Sequence, residues 1–269
     1  RVYIGSMTMI SINTNYGGLF AAKAAQDSQR VIDDAMTKLS TGKRINASKD
    51  DSAGQAIAMR LQGEVRGLAI ASRNASDGQA LIDTAEGALG EAHNVLIRMR
   101  ELAVQAQNGT LQASDKVALG VEFDALEAEI SRISDNTTWG GIQLLDGTYS
   151  DATPISFRVG ASEDITHTML NMAATAALGF STHTVDDAAT IALVDAAIAT
   201  VSEERAKLGA VSNRLDSTVT NLDQIRVNLA ASQGRIEDAD FAQETGNLAK
   251  GQILQQAATA MVAQANASK

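Results

Sequence analysis

The residues with the most chemical potential lie in the stretch 39–58, LSTGKRINASKDDSAGQAIA. Gly42-Lys43 resembles the end of a phosphate-binding loop, in which backbone N–H groups and a lysine hold a phosphate. That motif needs glycine at the position of Thr37, serine or threonine at the position of Arg44, and a strand before it. A run of helix formers precedes Gly42 here, so the sequence argues against a phosphate site.

The same stretch fits a joint between two helices. Gly42 can adopt the left-handed backbone conformation that commonly ends a helix. Ser48 to Asp51 has the S-x-x-D form of a capping box, which places acidic residues at the start of the next helix. We therefore predict that one helix ends near Gly42 and that Ser48 caps the next.

The remaining polar residues do not predict catalysis or metal binding. The histidines His93, His167 and His183 form no HxxxH or HExxH motif, and we interpret them as surface or interface residues. There is no G-x-S-x-G elbow for a nucleophile. Adjacent acids such as Glu203-Glu204 diverge on a helix and are interpreted as solvated faces. We expect no enzyme, no cofactor and no metal.

Composition excludes several other classes of protein. The 269 residues carry a net charge of −10, which disfavours nucleic acid and anionic membrane surfaces as partners. No apolar run is long enough for a transmembrane helix, and the absence of cysteine rules out a disulfide framework. Aromatic residues make up only 3%, which suits thin helical layers rather than a large globular core.

Two long segments repeat apolar residues every seven positions, the period of a coiled coil. We predict that they form two long helices that run side by side, one over 53–106 and one from Ala188 onward. The first has a parallel layer of small residues offset by three positions, which lets a partner helix approach closely. The predicted seam consists of Leu61, Leu68, Ile82, Leu89 and Leu96 in the first helix and Val201, Leu208, Leu215, Leu222 and Leu229 in the second.

Shorter elements complete the prediction. Residues 19–39 have a weak apolar stripe at Leu19, Ala22, Val31, Ala35 and Leu39, and 241–265 form a similar helix near the other end of the chain. A further helix is predicted from Ser114 to Asn136. Alternating residues at 155–159 and 166–170, bounded by glycines, predict short strands or hairpins. The fold class is therefore mainly α, with long antiparallel helical rods and a small β-hairpin element in the middle of the chain.

Several long motifs resemble bacterial flagellin, the filament protein of the flagellum, and they stand in that family's order along most of the chain. They are INTN (12–15), the stretch 39–58, ASRNASDG (71–78), TAEGALGE (84–91), RELAVQAQNGT (100–110), AKLGAVSNRLDSTVTNL (206–222), GRIEDADFAQE (234–244) and QILQQAATAMVAQAN (252–266).

This resemblance implies a domain organisation. We interpret 1–7 as a cloning remnant, 8–47 and 237–269 as terminal helical regions of the filament's inner tube, 48–145 and 188–236 as the halves of a rod domain, and 146–187 as a small variable region with β structure. Flagellins usually continue beyond the AQAN stretch to an apolar end, so the C-terminal region is expected to be truncated at Lys269.

The resemblance also implies function and partners. The expected function is a secreted structural subunit that self-assembles into the filament for motility. Expected partners are other flagellin subunits, a flagellar export chaperone, the cap and junction proteins, and a Toll-like receptor. The family's receptor contacts correspond to Arg98, Leu102 and Glu122. The residues alone leave Arg98 open, either as part of a solvated face or as an interface residue.

One alternative from another class stays open at this point. A surface protein of this fold could bind an extracellular ligand such as a polysaccharide, with Trp139 and Tyr149 as a stacking surface. The competing interpretation is that Trp139 packs the β element, because a lone tryptophan more often serves burial.

Overall fold

The structure is a computed structural model that describes residues 15–149, 152–160, 163–172 and 184–267. The described helices are α1 (Tyr16–Thr41), α2 (Ser52–Ala106), α3 (Ala113–Asn136), α4 (Ala188–Glu237) and α5 (Phe241–Ala267). Four short strands, β1 (Thr138–Trp139), β2 (Ile142–Gln143), β3 (Ile155–Arg158) and β4 (Asp164–His167), lie between α3 and α4. The predicted mainly α class with a small central β element is confirmed. Residues 1–7, interpreted as a cloning remnant, and part of the predicted variable region lie outside the described residues.

The chain divides into two compact units. The first comprises 1–63 and 228–269, and the second comprises 64–227. The division therefore falls within α2 and α4, whereas the sequence-based boundaries kept each long helix whole. The start of α2 and the end of α4 join the first unit because the joint between α1 and α2 bonds to the connection between α4 and α5.

In the second unit α2 and α4 run antiparallel, as predicted. Polar side chains pair across the two helices, and the residue number falls along α4 as it rises along α2. The pairs are Ser72 Oγ with Asp223 Oδ1 at 3.4 Å, Glu86 Oε1 with Arg205 Nη2 at 3.3 Å, and Arg100 Nε with Asp195 Oδ1 at 2.5 Å. These partly exposed pairs contribute little energy individually, but together they define the register.

The core of this unit lies along the seven-residue repeat. The predicted seam residues within 64–227 are buried except Leu68, which is half-buried, as are Leu61 and Leu229 in the first unit. The small layer of α2 is buried too, at Ala71, Ala85, Ala92, Met99 and Ala106. Helix α3 closes this core with Phe123 and Ile130.

The β element packs against the helices through alternate side chains. Strands β3 and β4 form an antiparallel hairpin in which Ile155 pairs with His167 and Phe157 with Ile165. All four of these residues are buried, while their neighbours along each strand are exposed. Strands β1 and β2 form a separate hairpin, with Gly140 and Gly141 at positive φ in its turn.

Gly78 of α2 is the place where the β3–β4 hairpin approaches the helix most tightly. A Cβ atom at this position would lie 2.7 Å from the Phe157 ring, which is itself buried. Gly87, nine residues further along the same helix, has open space around it.

We predict opposite effects for alanine at these two glycines. Gly87→Ala should raise the free energy of unfolding by up to about 1 kcal/mol, because alanine favours the helix. Gly78→Ala should lower it by about 1–3 kcal/mol, because the new methyl group overpacks against Phe157. Denaturant unfolding of the two variants checks this, and equal stabilisation by both would contradict the described packing.

Candidate subunit interface

The contact between α1 and α5 is built from small residues. The buried positions of α1, Ala21, Ser28 and Ala35, recur every seven residues. Those of α5, Glu244, Gly251 and Ala258, do the same. Asn15 Nδ2 donates to the Ala265 carbonyl at 3.1 Å and Gln255 Nε2 donates to Gln29 Oε1 at 2.6 Å, so the helices run antiparallel.

Gly251 shows how close the two helices are. A Cβ atom there would lie 2.8 Å from Ile32 Cγ1 and 3.6 Å from the backbone oxygen of Ser28. Helices approach this closely only where their facing side chains are small. A larger side chain at position 251 would clash with Ile32, so this contact admits few large apolar side chains.

The large apolar side chains of the pair face outward instead. Phe20 is 80% exposed and Ile253 is 66% exposed. A groove between the helices is lined by apolar side chains of both, including Tyr16, Phe20, Leu254 and Met261. Other exposed apolar residues on α1 and α5 are Leu19, Val31, Met36 and Phe241. Exposed apolar surface of this extent marks a binding surface for another molecule.

The stripe predicted for α1 is wrong in detail. Leu19 and Val31 are exposed, and the buried residues are Ala21, Ser28 and Ala35. The prediction assumed that the largest apolar residues face the nearest helix. The close approach of α5 reverses that order, and the period of seven among small residues is the signal that could have found it.

The joint 42–51 fixes the ends of four helices. Gly42 ends α1 at φ 70°, as predicted, and its N–H donates to the Lys38 carbonyl at 2.8 Å. Its carbonyl accepts the N–H of Ala239 at 3.0 Å, and the Arg44 N–H donates to the Glu237 carbonyl at 2.6 Å. The joint therefore pairs its backbone with the connection between α4 and α5.

Charged side chains in and beside the joint also pair with residues at the end of α4 and the start of α5. Lys43 Nζ lies 2.9 Å from Glu237 Oε2, so the lysine of the rejected phosphate motif pairs with a carboxylate. Nearby, Lys38 Nζ contacts the nearly buried Glu244 carboxylate at 3.2 Å. The polar residues of this stretch hold helix ends together.

The predicted cap of α2 is wrong by three residues. Asp51, not Ser48, accepts the N–H of Gly54 at 2.8 Å and so caps the helix. Asp50 points the other way, and its Oδ2 accepts the N–H groups of Asn46 at 3.1 Å and Ala47 at 2.9 Å. These two hydrogen bonds lower the pKa of Asp50 below its ordinary value of 3.8. Two adjacent acids thus serve two different turns.

The residues that matched the family's receptor contacts lie where α2 meets α3. Arg98 Nη2 contacts Glu122 Oε1 at 2.7 Å and its Nη1 contacts Glu101 Oε2 at 3.0 Å, all on the surface. The hydrogen bond to Glu122, and then that to Glu101, raises the pKa of Arg98. Leu102 is fully buried, so a partner would meet Arg98 and Glu122 without contacting the Leu102 side chain.

The interpretation of the adjacent acids as solvated faces is wrong for Glu204, and His167, interpreted as a surface or interface residue, lies in the interior. Both are more than nine-tenths buried, and His167 Nε2 lies 3.1 Å from Glu204 Oε1. The sequence contained a signal for this pair. Glu204 stands three residues after Val201 and four before Leu208, where the heptad pattern requires an apolar residue.

The other candidate residues do not form a reactive site. His93 is half-buried with its Nδ1 unpartnered, and His183 lies outside the described residues. Within the ranges that the structure describes, no three metal-binding side chains come together. Trp139 is 36% exposed on the β1–β2 hairpin, while Tyr149 packs against the core. No helix among the described residues is apolar enough over sufficient length to cross a bilayer.

These features define a class of protein. Heptad-paired helices from the two ends of the chain carry apolar surface outward, which is typical of a structural protein that associates through its helices. A structure described as a flagellar hook-associated protein of Vibrio parahaemolyticus has the same fold at a TM-score of 0.57, with 16% identity, over 70% of this chain and 100% of that one.

Family comparisons give the particular assignment. Residues 12–150 match the bacterial flagellin N-terminal helical region, and 191–269 match the C-terminal helical region. Flagellin of Bacillus subtilis is 41% identical, covering 95% of this chain and 96% of that protein. Flagellin of Halalkalibacterium halodurans is 45% identical over 86% and 87% of the two chains, respectively. The chain belongs to the bacterial flagellin family, the structural subunits of the flagellar filament.

We predict that the buried pair stabilises the second unit. Glu204→Ala should lower the free energy of unfolding by about 1–3 kcal/mol or more, because it creates a cavity and leaves buried His167 without its partner. Glu203→Ala, the change at the exposed neighbouring acid, should alter it by less than about 0.5 kcal/mol. Equal effects in a denaturant titration would show that the pair contributes nothing.

We predict a pH-dependent turn at Asp50. Its pKa is lowered on folding, so the stabilisation is complete above the ordinary aspartate pKa and is lost as the pH falls through the lowered value. Amide hydrogen exchange at Asn46 and Ala47, corrected for intrinsic rates, should show protection that declines in this acid range. In Asp50→Asn the decline should be absent, and an unchanged acid profile in that variant would refute the assignment.

Proposed function

We propose that this flagellin joins its filament through the outward face of the α1–α5 pair. The observation that carries this proposal is the distribution of side chains, with small residues inside the pair and large apolar residues outside. A helix pair that buries mainly alanine, serine and glycine gains little from its own contact, because each buried CH₂ contributes only about 0.8 kcal/mol. Packing the outer residues against neighbouring subunits supplies what the pair lacks.

The geometry of such a contact favours open-ended assembly. The groove that includes Tyr16, Phe20 and Met261 is concave, whereas Ile253 protrudes from α5 as an exposed apolar side chain. A protruding surface on one subunit that fits a groove on the next makes a heterologous contact, which generates a helix of subunits when the rotation does not close. Repeated from subunit to subunit, such a contact would build a filament.

The proposal extends to localisation and chemistry. We propose that the protein is exported and acts outside the cell as part of the flagellum, and that it has no catalytic activity. Support for the absence of catalysis is that the buried or closely paired titratable residues named above, such as Asp51, Arg100 and Glu204, serve a helix cap, an interhelical pair and the buried contact with His167. No observation favours the alternative of polysaccharide binding through Trp139 and Tyr149.

From family membership we propose three further kinds of partner. They are an export chaperone bound to the α5 region, the cap and junction proteins, and a Toll-like receptor. For the receptor, the structure offers the exposed ion pair of Arg98 and Glu122, which a partner could contact directly.

We predict that assembly depends on the outward face of α1. Phe20→Ser should leave the helical circular dichroism and the unfolding of the second unit unchanged, because the side chain is 80% exposed. It should abolish or greatly slow elongation from filament seeds, measured by light scattering and electron microscopy. The matched control is Lys23→Ser on the same helix, which should elongate like the unmodified chain. Elongation of Phe20→Ser at the unmodified rate would contradict the proposed contact.

A further inference from the structure

The connection between α2 and α3 contains Asn108 followed by Gly109, both exposed. We propose that Asn108 is a site of spontaneous deamidation, which converts it to aspartate and isoaspartate as the protein ages. The reaction needs no enzyme or cofactor, only water. The inference is independent of how, or whether, the chain assembles.

The local geometry favours the reaction. Asn108 Oδ1 accepts the N–H of Thr110 at 3.1 Å, and this hydrogen bond polarises the side-chain carbonyl group that the Gly109 nitrogen would attack. Among the described backbone hydrogen bonds of this turn, the Gly109 N–H is not a donor. The attacking nitrogen is therefore open to water and to a base.

Gly109 also removes the usual steric obstacle. It has no side chain, and the space where a Cβ atom would stand is open. Glycine permits the backbone rotation that brings its nitrogen toward the preceding side chain, a rotation that a Cβ atom hinders. Residues in the interior of a helix cannot make this rotation, because their backbone N–H groups are held in hydrogen bonds.

The chemical steps balance without an oxidant or a reductant. The Gly109 backbone nitrogen loses its proton to a base and attacks Asn108 Cγ. The bond from Cγ to the side-chain nitrogen breaks, and this nitrogen leaves with a proton as ammonia. Water then adds at either carbonyl of the succinimide ring and breaks the bond from that carbonyl to the Gly109 nitrogen, which regains a proton. Cleavage at the main-chain carbonyl gives an isoaspartyl linkage, and cleavage at Cγ gives an aspartyl linkage.

The sequence supplies its own controls, because Asn108 is the only asparagine in the chain that is followed by glycine. Asn46 is also exposed and outside a helix, but alanine follows it. Asn213 is exposed in the interior of α4, where the backbone is helical. All three side chains are exposed, so Asn46 tests the effect of the following residue and Asn213 tests the effect of a helical backbone.

The two products have different consequences for the turn. Aspartate keeps the oxygen that accepts the Thr110 N–H and adds one negative charge. Isoaspartate redirects the main chain through the side-chain carbonyl, so the Asn108 carbonyl that accepts the Leu111 N–H at 3.2 Å leaves the backbone. That change falls just before the start of α3, where the Gln112 N–H donates to Asp115 Oδ2 at 3.1 Å.

The test is to age the full-length folded protein at neutral and mildly alkaline pH. Peptide mass spectrometry then quantifies conversion at Asn108, Asn46 and Asn213 in the same digest. Isoaspartate is identified independently by an isoaspartyl methyltransferase assay. We expect Asn108 to convert much faster than the other two, at a rate that rises with pH and with release of ammonia.

Two variants make the test specific. Gly109→Ala, which the open space tolerates, should slow conversion at least several-fold without changing the circular dichroism spectrum. Asn108→Ser should remove both ammonia release from this turn and the methyltransferase signal. Conversion at Asn108 no faster than at Asn46, or an unchanged rate in folded Gly109→Ala, would overturn the proposal.

Discussion

The structure depends on the pairing of helices that are far apart in the sequence. Helix α1 packs on α5 within the first unit, and α2 runs antiparallel to α4 within the second. Both pairings use a repeat of seven residues, so each seam stays on one side of its helix over many turns. Helix α3 and the β3–β4 hairpin pack against the core that the α2–α4 pairing forms.

The seams of the two units share a period of seven residues but bury side chains of different size. In the second unit, large residues such as Leu89, Leu96 and Leu208 are fully buried, and the polar pairs beside them define the register. In the first unit, the seam is made of Ala21, Ser28, Ala35, Gly251 and Ala258, and the large residues face outward. The seam of the second unit stabilises the subunit itself, whereas the seam of the first unit leaves apolar surface exposed for a partner. Folding and association are thereby assigned to different parts of one chain.

The sequence predicts the helices well because their signals are local and repeated. The glycine that ends α1, the long heptads of α2 and α4 and the alternation of β3 all reappear in the structure. What escapes prediction depends on partners distant in sequence. From the sequence, Glu204 is one of two adjacent acids on a solvated face. In the structure, β4 places His167 beside it and the two side chains pair. The large apolar residues of α1 look like a core stripe until the close approach of α5 turns them outward. The cap of α2 is a local exception: Asp51 caps the helix while Asp50 bonds to the 46–47 backbone, and residue spacing alone does not decide between neighbouring polar residues.

The α1–α5 contact also affects the order in which the helices pair during folding. Asn15 bonds to the Ala265 carbonyl, and Lys38 to Glu244, so the first helix of the chain finds its partner only in the last. Contacts of such long sequence separation are slow to form, because a large loop must close before they gain anything. A chain that emerges progressively from a ribosome or a narrow channel cannot complete this pair until its other end is free. The α2–α4 pairing, whose intervening chain is shorter, can form earlier and shorten the remaining search. Among the described helices α1 therefore spends the longest time without its partner, and its apolar residues stay exposed until α5 arrives.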